Sequence, residues 1–580
     1  MAGRRASALV AALLVPLVAL AAGVQVRIEG LTGDVLENVQ ARLSLAALAR
    51  SGEAPSEAGL RRLYRRAPRE IRAALEPFGY YHPRITARLV PRAGGWLAHF
   101  HVDPGPRVRV VAVDVRLEGP GRGEAGLQGA VRAFPLRPGD ALRHDRYDAG
   151  RKRLLQVAFE AGYRDARYRV HRLEIDPRRN QARVRLVLET GPRYRFGPVR
   201  FPDAPLDPAL LAGYVPFRRG DPYAPGKLLA LQHTLERTGY FSSVEVVPGA
   251  ASPRRHEIPV QVHLVAAPPD RYQLGLGYGT DTGYRLRVGW QRRYLGRRGH
   301  RFGLDLALSG IRKEVHARYR IPLRRPRTDL LRLAAGIGNR RTASNDAVVR
   351  LLEARREQVR GRWVEAFALR AESVTFRVGG DSGTTRLLIP ELRFHRLSRA
   401  AGKAGTARGG GGRIAFEAAA AARGLLSDVS FFRLTLAGRR FLPLGRNDRL
   451  LVRGRLGTLA TSDFARVPPA YRFFAGGDQS VRGYAFESLG PRDAEGRVTG
   501  GRQLVEASLE YRHRLWKQLE GALFLDVGNA VDRLGDPLRR GAGLGLRWKL
   551  PVGTAGLDLA FALSTPGTPW RLHLTLGAEP

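Results

Sequence analysis

The chain has 580 residues, a formal net charge of +44, a pI near 11.4 and no cysteine. That length is too great for one compact core, and the lack of cysteine excludes disulfide scaffolds, thiolate metal sites and cysteine nucleophiles. The charge alone would suit a nucleic-acid binder. However, the arginines run from Arg27 to Arg571 and often alternate with apolar residues, as in Arg285-Leu286-Arg287-Val288. Such spacing fits strands with one polar face and not a basic groove, so no nucleic-acid partner is expected.

Arg4 and Arg5 precede an apolar run from Ala8 to Val18, followed by small residues at Ala19, Ala21 and Ala22. This is the layout of a secretory signal peptide over residues 1–22. The uncharged stretch from Ala6 to Val24 is also just long enough for an uncleaved anchor. No later segment is apolar enough for a membrane-spanning helix, so an exported chain of this kind is periplasmic, secreted or a membrane barrel.

From Val24 to about Pro268 a weak repeat recurs at about 80 residues. Its first marker is a helical stretch ending in glycine-aromatic: Pro77-Phe78-Gly79-Tyr80, Glu160-Ala161-Gly162-Tyr163 and Arg237-Thr238-Gly239-Tyr240. Glycine suits the left-handed residue that closes a helix. A second marker opens each later copy, at Gly105-Pro106-Arg107-Val108 and Gly191-Pro192-Arg193-Tyr194. Each unit reads as strand, two helices, strand, strand, giving α+β domains over residues 23–104, 105–191 and 192–268. In the second, Val108–Leu117 alternates, helices occupy about 125–161, and Tyr168–Leu173 pairs with Ala182–Leu188 across a turn at Asp176–Asn180.

Beyond 269 the helical period disappears. Short alternating segments are separated by Gly, Pro, Asp and Asn; Leu572, Leu574 and Leu576 face one way while His573 and Thr575 face the other. A membrane barrel requires this apolar-out, polar-in dyad, because lipid cannot satisfy an open sheet edge. Residues 269–580 therefore predict an all-β transmembrane barrel of about 16 antiparallel strands, at roughly 19 residues per strand and connection.

The most informative stretch is Tyr471-Arg472-Phe473-Phe474-Ala475-Gly476-Gly477-Asp478-Gln479-Ser480-Val481-Arg482-Gly483-Tyr484. Its Val481-Arg482-Gly483-Tyr484 core resembles the VRG(F/Y) motif on the sixth extracellular loop of the Omp85 superfamily. Three ordered matches follow it: Ala507-Ser508-Leu509-Glu510-Tyr511, Phe524-Leu525-Asp526-Val527-Gly528, and Gly543–Trp548 with Pro551-Val552-Gly553 and Asp558. The N-terminal repeats resemble POTRA domains. Three of them, with no room for a plug helix, bring the resemblance closest to the TamA branch, the outer-membrane subunits of translocation and assembly modules.

One arginine can grip two carboxylates with its rigid fork. Arg482 is therefore expected to clamp the loop to the barrel wall at Asp526 and Glu510. Val481 completes the motif, Gly483 permits close backbone approach, and Tyr484 offers a flat packing surface. The resemblance implies a lateral seam between the first and last barrel strands, here Gln273–Tyr278 (with Leu274, Gly275, Leu276 and Gly277) and Arg571–Leu576 (with Leu572, Leu574 and Leu576). It further implies an outer-membrane protein that inserts β-barrel or autotransporter clients through that seam, with its first domains in the periplasm. Implied partners are unfolded outer-membrane proteins, the lipid bilayer and a TamB-like, inner-membrane-anchored, periplasm-spanning protein. A two-partner-type polypeptide exporter and a phospholipid-transport component are the alternatives. No catalytic motif, cofactor or metal site is expected: His256-Glu257 begins like a zinc-protease motif, but the next histidine is His263 and Pro259 intervenes.

Overall fold

The computed structural model describes residues 23–51, 56–92, 95–202, 204–398, 411–551 and 553–577. The signal-peptide reading of residues 1–22 lies outside the described residues. None of the described helices is long and apolar enough to cross a membrane.

The N-terminal region forms three small three-stranded sheets, each with its last strand in the middle. The first domain comprises β1 (Gly23–Glu29), α1 (Gly33–Arg42), α2 (Ser44–Ser51), α3 (Glu57–Leu75), β2 (Arg84–Arg92) and β3 (Gly95–Asp103). Here β3 is central, parallel to β1 and antiparallel to β2. The sequence predicts two helices in this unit, but three form. Leu43 takes an extended conformation that ends α1, and the Glu70 carboxylate accepts hydrogen bonds from Ser44 N and Ser44 Oγ, both at 2.8 Å, which fixes the start of α2. The second domain follows the expected order: β4 (Arg109–Glu118), α4 (Ala125–Arg132), α5 (His144–Glu160), β5 (Arg167–Asp176) and β6 (Gln181–Glu189). Tyr168 pairs with Leu188. The third comprises β7 (Arg195–Arg200), α6 (Pro208–Ala212), α7 (Pro225–Glu236), β8 (Phe241–Pro248) and β9 (Glu257–Ala266).

The two sequence markers belong to one joint. Gly79, Gly162 and Gly239 have φ of +87°, +97° and +70°, the left-handed region in which glycine avoids a Cβ penalty. Gly79 O then accepts from Val108 N, and Gly162 O from Tyr194 N, each at 2.8 Å. The glycine that closes one repeat's helix thus receives the opening segment of the next.

Sixteen strands, β10 (Asp270–Gly279) to β25 (Trp570–Gly577), close into an antiparallel barrel in chain order. Leucine, valine, isoleucine and phenylalanine project outward around the wall and are exposed, among them Leu304, Ile337, Leu352, Phe367, Leu456 and Leu523. Such a belt is unfavourable in water and matched to lipid. The arginines that alternate with these residues point inward and pair across strands: Arg355 with Glu391 at 3.3 Å, Arg370 with Glu391 at 3.0 Å, and Arg393 with Glu417 at 2.9 Å. Much of the chain's arginine is therefore lumen wall.

Candidate functional site: a clamped loop and a short seam

β20 (Asp448–Thr461) and β21 (Gln503–Arg514) are joined by residues 462–502, called loop 6 here. Instead of standing in solvent, the loop carries its own apolar residues. Val467, Tyr471, Phe473, Ala475, Val481 and Tyr484 join a core with inward residues of the wall such as Ile389, Phe431 and Leu504. At this level the lumen is filled by packed apolar side chains.

The strand alternation sets the polar partners. On β21, Leu509 and Tyr511 face outward, which turns Ser508, Glu510 and Arg512 inward; on β22 (Leu519–Val531), outward Leu523 and Leu525 turn Phe524 and Asp526 inward. Arg482 enters this patch almost completely buried, at 1% exposure, with Glu510 at 1% and Asp526 at 0%. Arg482 Nε and Nη2 donate to Asp526 Oδ2 and Oδ1 at 2.7 and 2.9 Å, Arg482 N donates to Oδ2 at 3.1 Å, and Nη1 donates to Glu510 Oε2 at 2.6 Å. The guanidinium carbon also lies 3.4 Å from the Phe524 ring centroid, a cation–π contact strengthened by desolvation. Every predicted clamp residue is thus brought together: Val481 is buried beside the arginine, Gly483 has φ +95°, and Tyr484 OH reaches Arg540 O at 3.4 Å.

Sequence reasoning missed the remainder of the network. Arg512 Nε donates to Glu510 Oε1 at 2.6 Å, and Arg547 on β23 (Arg539–Leu550) bridges Glu510 and Asp558 of β24 (Gly553–Ala562), at 3.5 and 2.7 Å. These arginines balance the carboxylates that Arg482 grips, as buried charges require. Two further anchors hold the loop elsewhere. Arg472 donates to Asp381 at 2.8 Å and to the loop carbonyls of Val467, Ala465 and Thr499. Glu487 pairs with Arg340 and accepts from Asn345 Nδ2 at 3.1 Å. Arginine is so frequent in this chain that neither anchor stands out in the sequence.

The loop also reaches the first hairpin, because Asp478 N donates to Asp281 Oδ2 at 2.6 Å. Burial, and next the facing Asp281 carboxylate, push the Asp478 carboxyl up to about 6. An acid whose folded value exceeds its unfolded value, 3.8, contributes stability that is complete below the latter and lost as pH rises through the former. Asp478→Asn is therefore expected to raise the barrel's unfolding midpoint at pH 7.5 and leave it nearly unchanged at pH 4. Equal effects at both pH values would contradict that account.

The seam between β10 and β25 is much shorter than its neighbours. Among the described residues its ladder consists of Tyr278↔Leu576 and Gly279↔Thr575, whereas β10 and β11 (Gly283–Leu295) pair from Asp270↔Arg292 to Gly279↔Gly283. Thr280 extends the contact through its N–H to Leu574 O at 2.9 Å, and Arg285 Nη2 crosses to Leu576 O at 3.0 Å. A Cβ on Gly277 would sit 2.8 Å from Leu576 O, so glycine is needed for close approach there. The sequence sets residues 273–278 beside 571–576, but the register is offset. Leu574 meets Thr280, Leu572 falls opposite the first turn, and no described residue of β25 pairs with Leu276, Gly275 or Leu274.

Three small α/β sheets ahead of a closed sixteen-stranded barrel, with a loop locked inside it by a buried arginine, define an outer-membrane barrel with periplasmic POTRA domains. Residues 408–579 match the Omp85 superfamily domain and residues 25–104 match the POTRA domain TamA domain 1. These two segments are thus an Omp85 superfamily domain and a first POTRA domain of the TamA type. It is 33% identical over 147 residues to the outer membrane protein assembly factor BamA of Nitratidesulfovibrio vulgaris (strain Hildenborough), a match taking in 24% of this chain and 18% of that protein's length. The crystal structure of BamA from Haemophilus ducreyi lacking POTRA domains 1–3 has the same fold, with a TM-score of 0.66 at 15% identity over 81% of this chain and 99% of that one.

Proposed function

We propose that the protein assembles outer-membrane β-barrel or autotransporter clients by opening laterally between β10 and β25. The observation that carries this reading is the short ladder at the seam, two register pairs among the described residues, where every other pair of neighbouring strands in the wall shares at least eight. An opened seam presents two strand edges, each a template for a client strand, so β-augmentation supplies the recognition and lipid receives the product. Loop 6 is the fixed part of this machine: its clamp lies on β21 and β22, away from the strands that must separate. A polypeptide exporter would need the lumen, and loop 6 would have to give up its buried core and arginine network to clear it. The TamA-type first domain supports a TamB-like periplasmic partner, with the edge strands β1 and β2 of its sheet as the docking edges.

The chain has no cysteine, so the seam can be locked in a clean background. Tyr278→Cys with Leu576→Cys, and Gly279→Cys with Thr575→Cys, join residues in register. Oxidation is expected to cut client insertion into liposomes by tenfold or more, on the order of 1.4 kcal/mol in rate terms, and reduction to restore it. Leu276→Cys with Leu286→Cys, across an ordinary ladder, should leave insertion unchanged. Full insertion through a verified seam crosslink would sink lateral opening.

A further inference from the structure

The two ends of the barrel differ in charge. β10 follows the periplasmic domains and runs outward, so the connections at 296–299, 323–328, 361–362, 444–447 and 515–518 lie at the periplasmic rim. They read Gly-Arg297-Arg298-Gly, Leu-Arg324-Arg325-Pro-Arg327-Thr, Gly-Arg362, Leu-Gly-Arg446-Asn and Leu-Trp516-Lys517-Gln, with no acidic residue. All of these basic side chains are exposed, and none forms an ion pair among the described residues. The carboxylates at the adjoining strand ends are already engaged: Asp270 with Arg292 at 2.8 Å, Asp329 with Arg356 at 2.7 Å, and Glu520 with Lys549 at 2.7 Å. The outward connections show no such bias. Residues 422–430 and 532–538 carry both signs, and 310–311, 342–344, 379–380 and 563–569 carry none.

A second feature fixes the height of this rim. Tyr272, Trp363 and Trp548 are exposed at the periplasmic ends of their strands, and Trp516 is exposed within the 515–518 turn itself. Amphipathic aromatics of this kind settle at the boundary between hydrocarbon and headgroups, which places the adjoining guanidinium groups at the level of lipid phosphate. The basic turns are also distributed along the barrel from the β11–β12 connection to the β21–β22 connection. Asp207 N donates to Arg297 O and Pro326 lies against Gly213, so two of these turns border the third domain, but their guanidinium groups stay exposed.

We infer that the periplasmic rim is a docking surface for anionic phospholipid headgroups of the inner leaflet, held by unpaired arginines beneath a tryptophan and tyrosine band. This goes beyond the assembly reading and does not depend on what the seam does. Arginine suits the role because its fork matches phosphate oxygens, and the attraction falls off within a Debye length.

The test uses the full chain reconstituted in phosphatidylcholine vesicles containing a fixed fraction of phosphatidylglycerol, with one lipid at a time brominated on its acyl chain to quench tryptophan. Brominated phosphatidylglycerol is expected to quench more than its mole fraction predicts, with a relative affinity of about fivefold per occupied basic site, and this preference should collapse in 1 M NaCl. Arg324→Gln/Arg325→Gln/Arg327→Gln should reduce the preference, and neutralising Arg297, Arg298, Arg362, Arg446 and Lys517 as well should abolish it; the smaller variant keeps the test open if the larger one does not fold. Arg61→Gln/Arg62→Gln/Arg65→Gln, on the exposed face of α3, should leave it intact. Equal quenching by both lipids in the unmodified protein would overturn the proposal and leave the rim to an acidic protein. A preference unchanged in folded rim variants would overturn it too.

Discussion

Arg482→Met is expected to release loop 6 from the wall and destabilise the barrel by about 3–5 kcal/mol. The side chain makes hydrogen bonds to both Asp526 oxygens and to Glu510 with almost no exposure to water. Its loss does not fall equally on the two acceptors. Glu510 keeps Arg512 at 2.6 Å and Arg547 at 3.5 Å, but the nearest remaining cation to Asp526 is Arg453 at 3.9 Å. The cost is therefore that of a buried carboxylate stripped of its partner, not of a lost surface pair. It follows that Arg482→Met with Asp526→Leu should cost clearly less than the two single changes summed. Arg482→Lys should recover only part of the loss, because one ammonium cannot reproduce a fork that spans two acidic residues. Denaturant midpoints followed by tryptophan fluorescence check all three, and an unchanged midpoint for Arg482→Met would mean that the clamp holds nothing.

Much of this site could be read from residue order. Arg482, Glu510 and Asp526 are far apart in sequence, yet a period of two places Glu510 and Asp526 on the inward face of neighbouring strands, and the resemblance of Val481-Arg482-Gly483-Tyr484 to the Omp85 loop motif singles out Arg482 among many arginines. The repeats were legible for a similar reason. Gly79, Gly162 and Gly239 are required by a left-handed backbone, a local demand that leaves a local mark. What the sequence concealed was set by nonlocal geometry. The roles of Arg472, Arg512 and Arg547 depend on which wall residues stand opposite, and in a chain with 97 lysines and arginines their type carries little information. The third helix of the first domain depends on Glu70 reaching back to Ser44. The seam's offset depends on barrel stagger, which alternation cannot report, since a shift of two residues preserves every side chain's face.

The wall also contains a silent counterpart to the clamp, and Gly541→Val is expected to unseat the loop without touching a charge. Ser508, Asp526, Gly541 and Ala562 lie in one row across β21, β22, β23 and β24, and loop 6 is laid along it. Arg482 N bonds Asp526, the Arg482 carbonyl oxygen lies 2.0 Å from where a Cβ on Gly541 would stand, and a Cβ on Gly483 would come within 2.8–2.9 Å of the Phe561–Ala562 backbone. Because these neighbours are backbone atoms, they cannot rotate aside as a side-chain tip would. Valine at 541 should force the loop to lift, at about 1–3 kcal/mol or more for overpacking, and with the loop lifted Arg482 can no longer reach Asp526. Gly541→Val and Arg482→Met should then be strongly non-additive, since each removes the same seated state. Val481→Cys, buried at 0% exposure in a chain with no other cysteine, reports that state: a membrane-impermeant maleimide should leave it unlabelled in the parent and label it in the Gly541→Val background. Gly535→Val, in an outward turn where a Cβ meets nothing within 4 Å, should leave it protected. Protection in both backgrounds would show that the loop is held by its apolar core and not by its seat along this row.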